Sequence, residues 1–256
     1  MKPALHVFEY CLMRYRRIWR GSVVISVANP LLFVLAMGAG LGKLVDQRNS
    51  AYLHGLPYLT FMAPGLVAAA AMQIGYLESA GPVLQSALPG GSYRSAIAAP
   101  MSATNILLGH LLFIGCRILL SSTGVVLVIV AWGVIPPGRG LLLIPAALLT
   151  GLAFAVPVTA FAVRAARPAS LNALFRFVIM PLYMFSGTFY PTAQLPAWLR
   201  DIMVISPLWH GVQLCRGLAL GDEAGADAAA HTAVLICLIA AGTVAARHAY
   251  IRRLAG

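Results

Sequence analysis

The chain has 256 residues, of which 60% are hydrophobic and only 10% charged, and its mean hydropathy is +0.85. Soluble domains carry about 25% charged residues, so a water-soluble globular protein is excluded, and the apolar surplus excludes disorder as well. The net charge of +11 sits in short clusters between apolar runs, which points to membrane topology and anionic headgroups rather than to nucleic acid.

Residues 1–21 read as an interfacial amphipathic helix preceding a single membrane domain over 22–256. Within Pro3–Arg20, Leu5, Phe8, Leu12, Tyr15 and Trp19 recur at spacings of three and four beside Arg14, Arg16, Arg17 and Arg20, the pattern of a helix lying at the headgroup level. The same basic residues, without a small-residue cleavage site, argue against a removable signal peptide. Six apolar stretches follow: Ser22–Leu44, Pro57–Leu77, Ile106–Trp132, Leu141–Val163, Leu171–Tyr190 and His231–Tyr250. Each approaches the roughly 20 residues that a helix needs to cross a bilayer. The fold class expected is therefore all-α, with six transmembrane helices. Pro30, Pro64, Pro145, Pro157 and Pro181 fall inside spans, where membrane helices tolerate them.

Two connections stand out. Glu78–Thr104 contains Pro82, Pro89-Gly90-Gly91, a short helical candidate Ser92–Ala99, and Pro100; a loop this long inside a compact protein is usually functional. Pro191–Ala230 is broken by Pro191, Pro196 and Pro207 into pieces too short to cross, which suggests re-entrant or interfacial helices, with Trp198 and Trp209 as anchors. Basic residues number twelve on the side of the termini and of the loops after the second and fourth spans, against five on the other side. The positive-inside rule then places both termini in the cytoplasm.

Catalytic constellations are missing from the sequence. It has no GxxxxGK[ST] loop and no HExxH pair, and Ser186-Gly187 lacks the glycine that a nucleophile elbow requires. Gly38-Ala-Gly-Leu-Gly-Lys43 has the wrong spacing for a phosphate loop and ends an apolar span. Cys11, Cys116, Cys215 and Cys237 are scattered without metal-ligand or disulfide spacing. Arg117 lies near the middle of the third span, where an unpaired guanidinium costs at least about 2.5 kcal/mol. It therefore faces the interior, a water-filled cavity or a partner, or else snorkels to the interface. Glu78 closes the second span, with Arg94 a conceivable partner. His110, His210 and His231 stand alone and read as structural. Gly38 and Gly42 have the spacing of a close helix pair and are candidates for dimer packing.

The chain resembles the permease subunits of ABC type-2 exporters, among them the nodulation-factor, daunorubicin and polysaccharide exporter permeases. The likeness is carried by Met62-Ala-Pro-Gly65, by Glu78-Ser79 with Tyr93-Arg-Ser-Ala-Ile-Ala-Ala-Pro100-Met-Ser102, and by Phe185-Ser-Gly187-Thr-Phe-Tyr-Pro191 with Leu195-Pro-Ala-Trp198 and Ser206-Pro207-Leu-Trp-His210. Gly81-Pro82, Pro89-Gly90-Gly91 and Ser92 depart from the more charged run common in the family. The resemblance implies a permease with no ATPase of its own. ATP and magnesium would sit on a separate nucleotide-binding subunit, and a second permease, identical or paralogous, would complete the pathway. It also implies that Ser92, Tyr93, Arg94, Ser95, Ala96 and Ile97 form the coupling helix that docks on the ATPase, with Tyr93 offering a ring to that contact and Glu78 in the same cytoplasmic loop. The setting implied is a bacterial plasma membrane. The substrate would be hydrophobic or amphipathic, a drug, lipid or lipid-linked glycan. Arg117, Phe185, Phe189 and Tyr190 are candidates for its path. The alternative is a secondary transporter or channel-like protein without an ATPase; it would need more intramembrane ionisable groups than the spans offer.

Overall fold

The computed structural model describes residues 2–17, 19–21, 28, 32, 34–36, 40, 55–98, 101–221 and 225–254. Gly38 and Gly42, and most of the expected Ser22–Leu44 span, lie outside the described residues. Every regular element among the described residues is helical: α1 (Lys2–Tyr15), α2 (Tyr58–Ala87), α3 (Ser92–Ala98), α4 (Ala103–Ala131), α5 (Pro137–Ala162), α6 (Pro168–Phe185), α7 (Ala197–Val204), α8 (Pro207–Leu220) and α9 (Gly225–Leu254), with a short 3-10 turn at Thr192–Gln194. Five of them, α2, α4, α5, α6 and α9, are long and apolar enough to cross a membrane.

Local sequence sets the helix ends. Ser102 caps α4 by accepting from the Asn105 backbone N–H at 3.2 Å, and Pro137 opens α5 where a missing N–H costs nothing. Ser206 caps α8, Pro207 begins it, and Gly221 ends it in the left-handed conformation at φ +79°. Arg139, at the start of α5, donates to the α8 carbonyls of Ala219 (3.2 Å) and Leu220. Between α6's two α-helical parts, Phe175–Ile179 is wound as a π-helix just ahead of Pro181.

The largest departure from expectation is in α2. It continues to Ala87 rather than ending at Leu77, so Glu78 is a helical residue and Pro82 lies inside the helix. Proline deletes one hydrogen bond but does not end a helix when another group takes the freed carbonyl. The chain turns only at Leu88–Gly91, where Gly90 adopts φ +83° and the Gly91 N–H reaches Leu88 O at 2.8 Å.

Helix α5 lies at the centre, packed against α2, α4, α8 and α9. Small residues permit these approaches. A Cβ on Gly75 of α2 would strike the Gly151 carbonyl of α5, and one on Gly211 of α8 would strike Thr150. Close contact of this kind replaces the hydrophobic drive that is lost between helices in lipid. Contacts between helix ends show α2 and α6 running antiparallel. The Tyr76 hydroxyl donates to Leu171 O at 2.8 Å near the start of α6, while Tyr58 at the opposite end of α2 reaches Phe189 O, just past α6, at 3.1 Å.

Helix α1 carries three stripes, two of them at four-residue spacing. Val7, Cys11 and Tyr15 pack on the protein; Leu5, Leu12 and Met13 are exposed; His6, Tyr10 and Arg14 form an exposed polar edge. The α1 backbone meets α4 at Gly109, where a Cβ would collide with Ala4 O. The apolar stripe read from the sequence is thus divided, since Tyr15 turns to the protein while Leu5 and Leu12 turn away.

If Gly75–Gly151 fixes the α2–α5 distance, Gly75→Ala lowers stability by about 1–3 kcal/mol. Gly81→Ala, whose added methyl meets nothing within 4 Å, is neutral or stabilising by up to about 1 kcal/mol. Thermal unfolding of the purified chain in detergent measures both.

Candidate functional site

Helix α4 brings His110 and Arg117, two turns apart on one face, against α2 at Glu78. Arg117 is buried, with 4% of its side chain exposed against 19% for Glu78, and its Nε donates to Glu78 Oε1 at 3.0 Å. Its Nη1 donates to the Tyr15 hydroxyl at 2.7 Å, and the guanidinium lies 4.2 Å from the Tyr15 ring centroid. The choice between interior and interface is thereby resolved. The guanidinium is held inside by a carboxylate, a phenol and a π face, which lowers the cost of a charge at this depth. The partner the structure gives Glu78 is Arg117, and the conceivable contact with Arg94 falls on a side chain outside the described ones.

The backbone of Glu78 takes part as well. A helical carbonyl at position i is bonded by the N–H at i+4, and here i+4 is Pro82, which has none. The freed Glu78 carbonyl accepts from His110 Nε2 at 3.3 Å. In a neutral imidazole this leaves Nδ1 as the acceptor, and the Tyr93 hydroxyl lies 3.3 Å from it. The Tyr93 oxygen in turn is 3.1 Å from the Tyr250 hydroxyl. Protons therefore point one way along the chain, Tyr250 O–H to Tyr93 O–H to His110, and His110 N–H to the Glu78 carbonyl. Aligned chains of this kind polarise and strengthen one another. Cys11 adds an Sγ contact of 3.9 Å to His110 Nδ1. Burial pushes the Cys11 thiol up to about 11 and raises the Tyr93 phenol above its ordinary value, so both groups remain neutral.

Five helices, α1, α2, α3, α4 and α9, thus meet in one polar cluster. Tyr93 is the member from α3, and it corrects the sequence reading: its ring is buried at 4% exposure and bonded inward, because a phenol with two buried partners gains more there than at a surface. Of the other α3 residues, Ser95 is exposed and Ser92, Ala96 and Ile97 are partly so; Arg94 lies on the same helix.

The opposite end of the bundle holds a second cluster. Arg216 of α8 donates to Gly187 O at 2.8 Å and lies 3.9 Å from the Phe61 ring centroid. Gly187 has φ +81°, a conformation that favours glycine, and a Cβ on Gly65 would sit 3.2 Å from Thr188 Cα. Two stretches that carried the family likeness, Met62–Gly65 and Phe185–Pro191, therefore pack together. Phe185 is exposed, whereas Phe189 is edge-on to Tyr183 at 5.2 Å and the Tyr190 hydroxyl bonds Met184 O at 3.2 Å. The three lie together in this segment, and Arg117 belongs to the other cluster. His210 and His231 are not isolated, as the sequence suggested. Their Nδ1 atoms are 2.8 Å apart and Trp209 stands edge-on to both rings. No sequence motif announces this pair, since α8 and α9 bring it together.

The fold and the two clusters define a polytopic helical membrane protein whose polar groups serve helix–helix connection; among the described residues no cluster of three or more His, Cys, Asp or Glu is placed to hold a metal. The ABC-2 type transporter family model matches residues 5–220, and the chain belongs to that family. It is similar to nodulation protein J of Sinorhizobium fredii, 28% identical over 230 residues that cover 89% of this chain and 84% of that protein. It is 27% identical to nodulation protein J of Rhizobium meliloti, over 82% of this chain and 78% of that one. Against the Bradyrhizobium diazoefficiens protein of the same name it is 27% identical, over 94% and 89%. The chain is thus a permease-type component of an ABC transporter, a family in which catalysis lies on a separate ATPase.

The buried pair predicts a specific pattern of stability. Arg117→Met strands the Glu78 carboxylate and costs about 3–5 kcal/mol, whereas adding Glu78→Leu to it restores much of the loss. Thermal unfolding of the three variants in detergent measures the coupling.

Proposed function

We propose that this chain is the membrane permease of an ATP-driven exporter that moves a hydrophobic or amphipathic substrate, such as a drug, lipid or lipid-linked glycan, out of the cytoplasm or inner leaflet of a bacterial plasma membrane. A separate ATPase subunit binds ATP and magnesium and docks on α3 from the cytoplasm. A second permease, identical or paralogous, forms the other half of the pathway. The expected Ser22–Leu44 segment supplies a sixth span, both termini are cytoplasmic, and α7 and α8 re-enter the bilayer from outside.

The observation that carries this reading is the attachment of α3. It is a seven-residue helix, too short to be stable alone. Yet Tyr93 ties it to α4 through His110 and to α9 through Tyr250, while Ser95 stays exposed. A small helix with one face anchored in the bundle and the other open passes a push from a docked subunit into the spans. The rival reading, an ion-coupled transporter, needs an ionisable group facing a path, and Arg117 and Glu78 are closed on each other. Substrate leaves past Phe185, Phe189 and Tyr190, near the Arg216 cluster.

The purified chain alone hydrolyses no ATP, and hydrolysis appears with the cognate ATPase. Tyr93→Phe removes the shared hydroxyl but keeps the ring. It leaves co-purification with the ATPase intact and lowers the transport obtained per ATP hydrolysed. Vesicle transport by the chain without any ATPase contradicts the proposal, and an unchanged ratio in Tyr93→Phe contradicts the anchoring role.

A further inference from the structure

A cavity of about 550 Å³ opens between α1, α3, the end of α2 and the start of α4. This is within the range of sites for small ligands, roughly 300–1,000 Å³. Its two long walls differ in chemistry. On α1, His6, Tyr10 and Arg14 line one side at four-residue spacing, so their polar ends stack along one edge of the helix. On α3, Ser92 and Ser95 face them with hydroxyls, and Met101 and Ile106 make part of the wall apolar. Among the described residues of the lining, Arg14 is the fixed cation and none is a carboxylate. The Cys11 thiol in the same wall stays neutral, because burial pushes it up to about 11.

We propose that this cavity binds the phosphate headgroup of an anionic phospholipid from the adjoining leaflet, with Arg14 as the charged contact and the hydroxyls of Tyr10, Ser92 and Ser95 as further donors. Three features select this ligand. The described lining is cationic without a competing acid, and guanidinium–phosphate pairs are strong and directional. The apolar part suits the first methylenes of an acyl chain. The outer face of α1 exposes Leu5, Leu12 and Met13 beside the cavity, as a helix resting in the interface does. Basic pockets at the membrane end of helices hold anionic headgroups on the same principle. A headgroup in this position bridges α1 to α3 and makes the leaflet's charge part of the α3 anchor. The inference rests on the orientation proposed above, with α1 at the inner leaflet, but not on any ATPase.

Native mass spectrometry of the full chain, released from nanodiscs of phosphatidylcholine with a minor share of phosphatidylglycerol, tests it. Phosphatidylglycerol is retained in preference to phosphatidylcholine. Arg14→Gln reduces that retention about fivefold, the loss expected for about 1 kcal/mol per basic residue at a membrane surface. Arg16→Gln, which removes equal charge from outside the lining, leaves it unchanged. Ala96→Trp, which fills the cavity without altering charge, also removes it, and free glycerol phosphate does not displace the lipid. Equal retention of the two lipids, or equal losses in Arg14→Gln and Arg16→Gln, overturns the site in favour of diffuse attraction. Displacement by glycerol phosphate overturns the lipid as its source. Each readout is made without an ATPase, so the exporter reading stands or fails separately.

Discussion

The structure turns on one missing hydrogen bond. Pro82 cannot donate to the carbonyl of Glu78, and in hydrocarbon an unsatisfied carbonyl is costly. His110 fills the vacancy, which fixes its tautomer, sets Nδ1 toward Tyr93 and through it engages Tyr250. The side chain of the same Glu78 neutralises Arg117, and Arg117 draws in Tyr15 from α1. One residue thus serves two networks, its carbonyl in one and its carboxylate in the other. Removing either partner leaves a buried polar group without compensation. That requirement, more than any single contact energy, holds the N-terminal helix, the short α3 and the last helix to a common point.

Away from this point the bundle is joined by close packing. Glycines let α5 meet α2 nearly backbone to backbone and seat Thr150 of α5 directly on α8 at Gly211, and the far end is closed by Arg216 on the carbonyl of Gly187 and the ring of Phe61. The two ends differ in kind. At one, a carboxylate–guanidinium pair and a histidine–phenol chain meet inside the protein; at the other, a guanidinium clamps a turn and a half-buried histidine pair joins α8 to α9. A bundle built this way moves as stiff helices whose relative positions change at their ends, the behaviour expected of a permease driven from one side.

Much of this was legible in the sequence. Apolar length located the five described membrane-crossing helices to within a few residues at most of their ends, and the short helix after Gly91 was placed correctly from the breaker before it and the proline after it. The motif stretches Met62–Gly65 and Phe185–Pro191 were recognised separately; that Gly65 abuts Thr188 is a tertiary fact that no spacing reveals. Sequence places Glu78 in a loop because the apolar stretch ends at Leu77 and Pro82 follows, and proline in water commonly stops a helix. In an apolar bundle a partner such as His110 compensates the proline, and the spacing Glu78-xxx-Pro82 was the available signal. His110 and His231 looked isolated because their partners are distant in sequence: Tyr93 and Glu78 for one, His210 for the other. Tyr93 is expected at a docking surface because the family resemblance makes the helix carrying it a coupling helix, and its buried partners His110 and Tyr250 are distant in sequence. The dimer-packing candidates Gly38 and Gly42 fall outside the described residues.

The central claim is that α3 moves with α4 as one body because Tyr93 is anchored between His110 and Tyr250. The most direct measurement is the spin-label distance between Ser95 and Leu120, both exposed on α3 and α4, in the ATPase-bound protein with and without nucleotide. A single narrow distance that nucleotide does not change, and that broadens in Tyr93→Phe, is the result predicted. A distance that shifts with nucleotide while Tyr93→Phe has no effect contradicts the account.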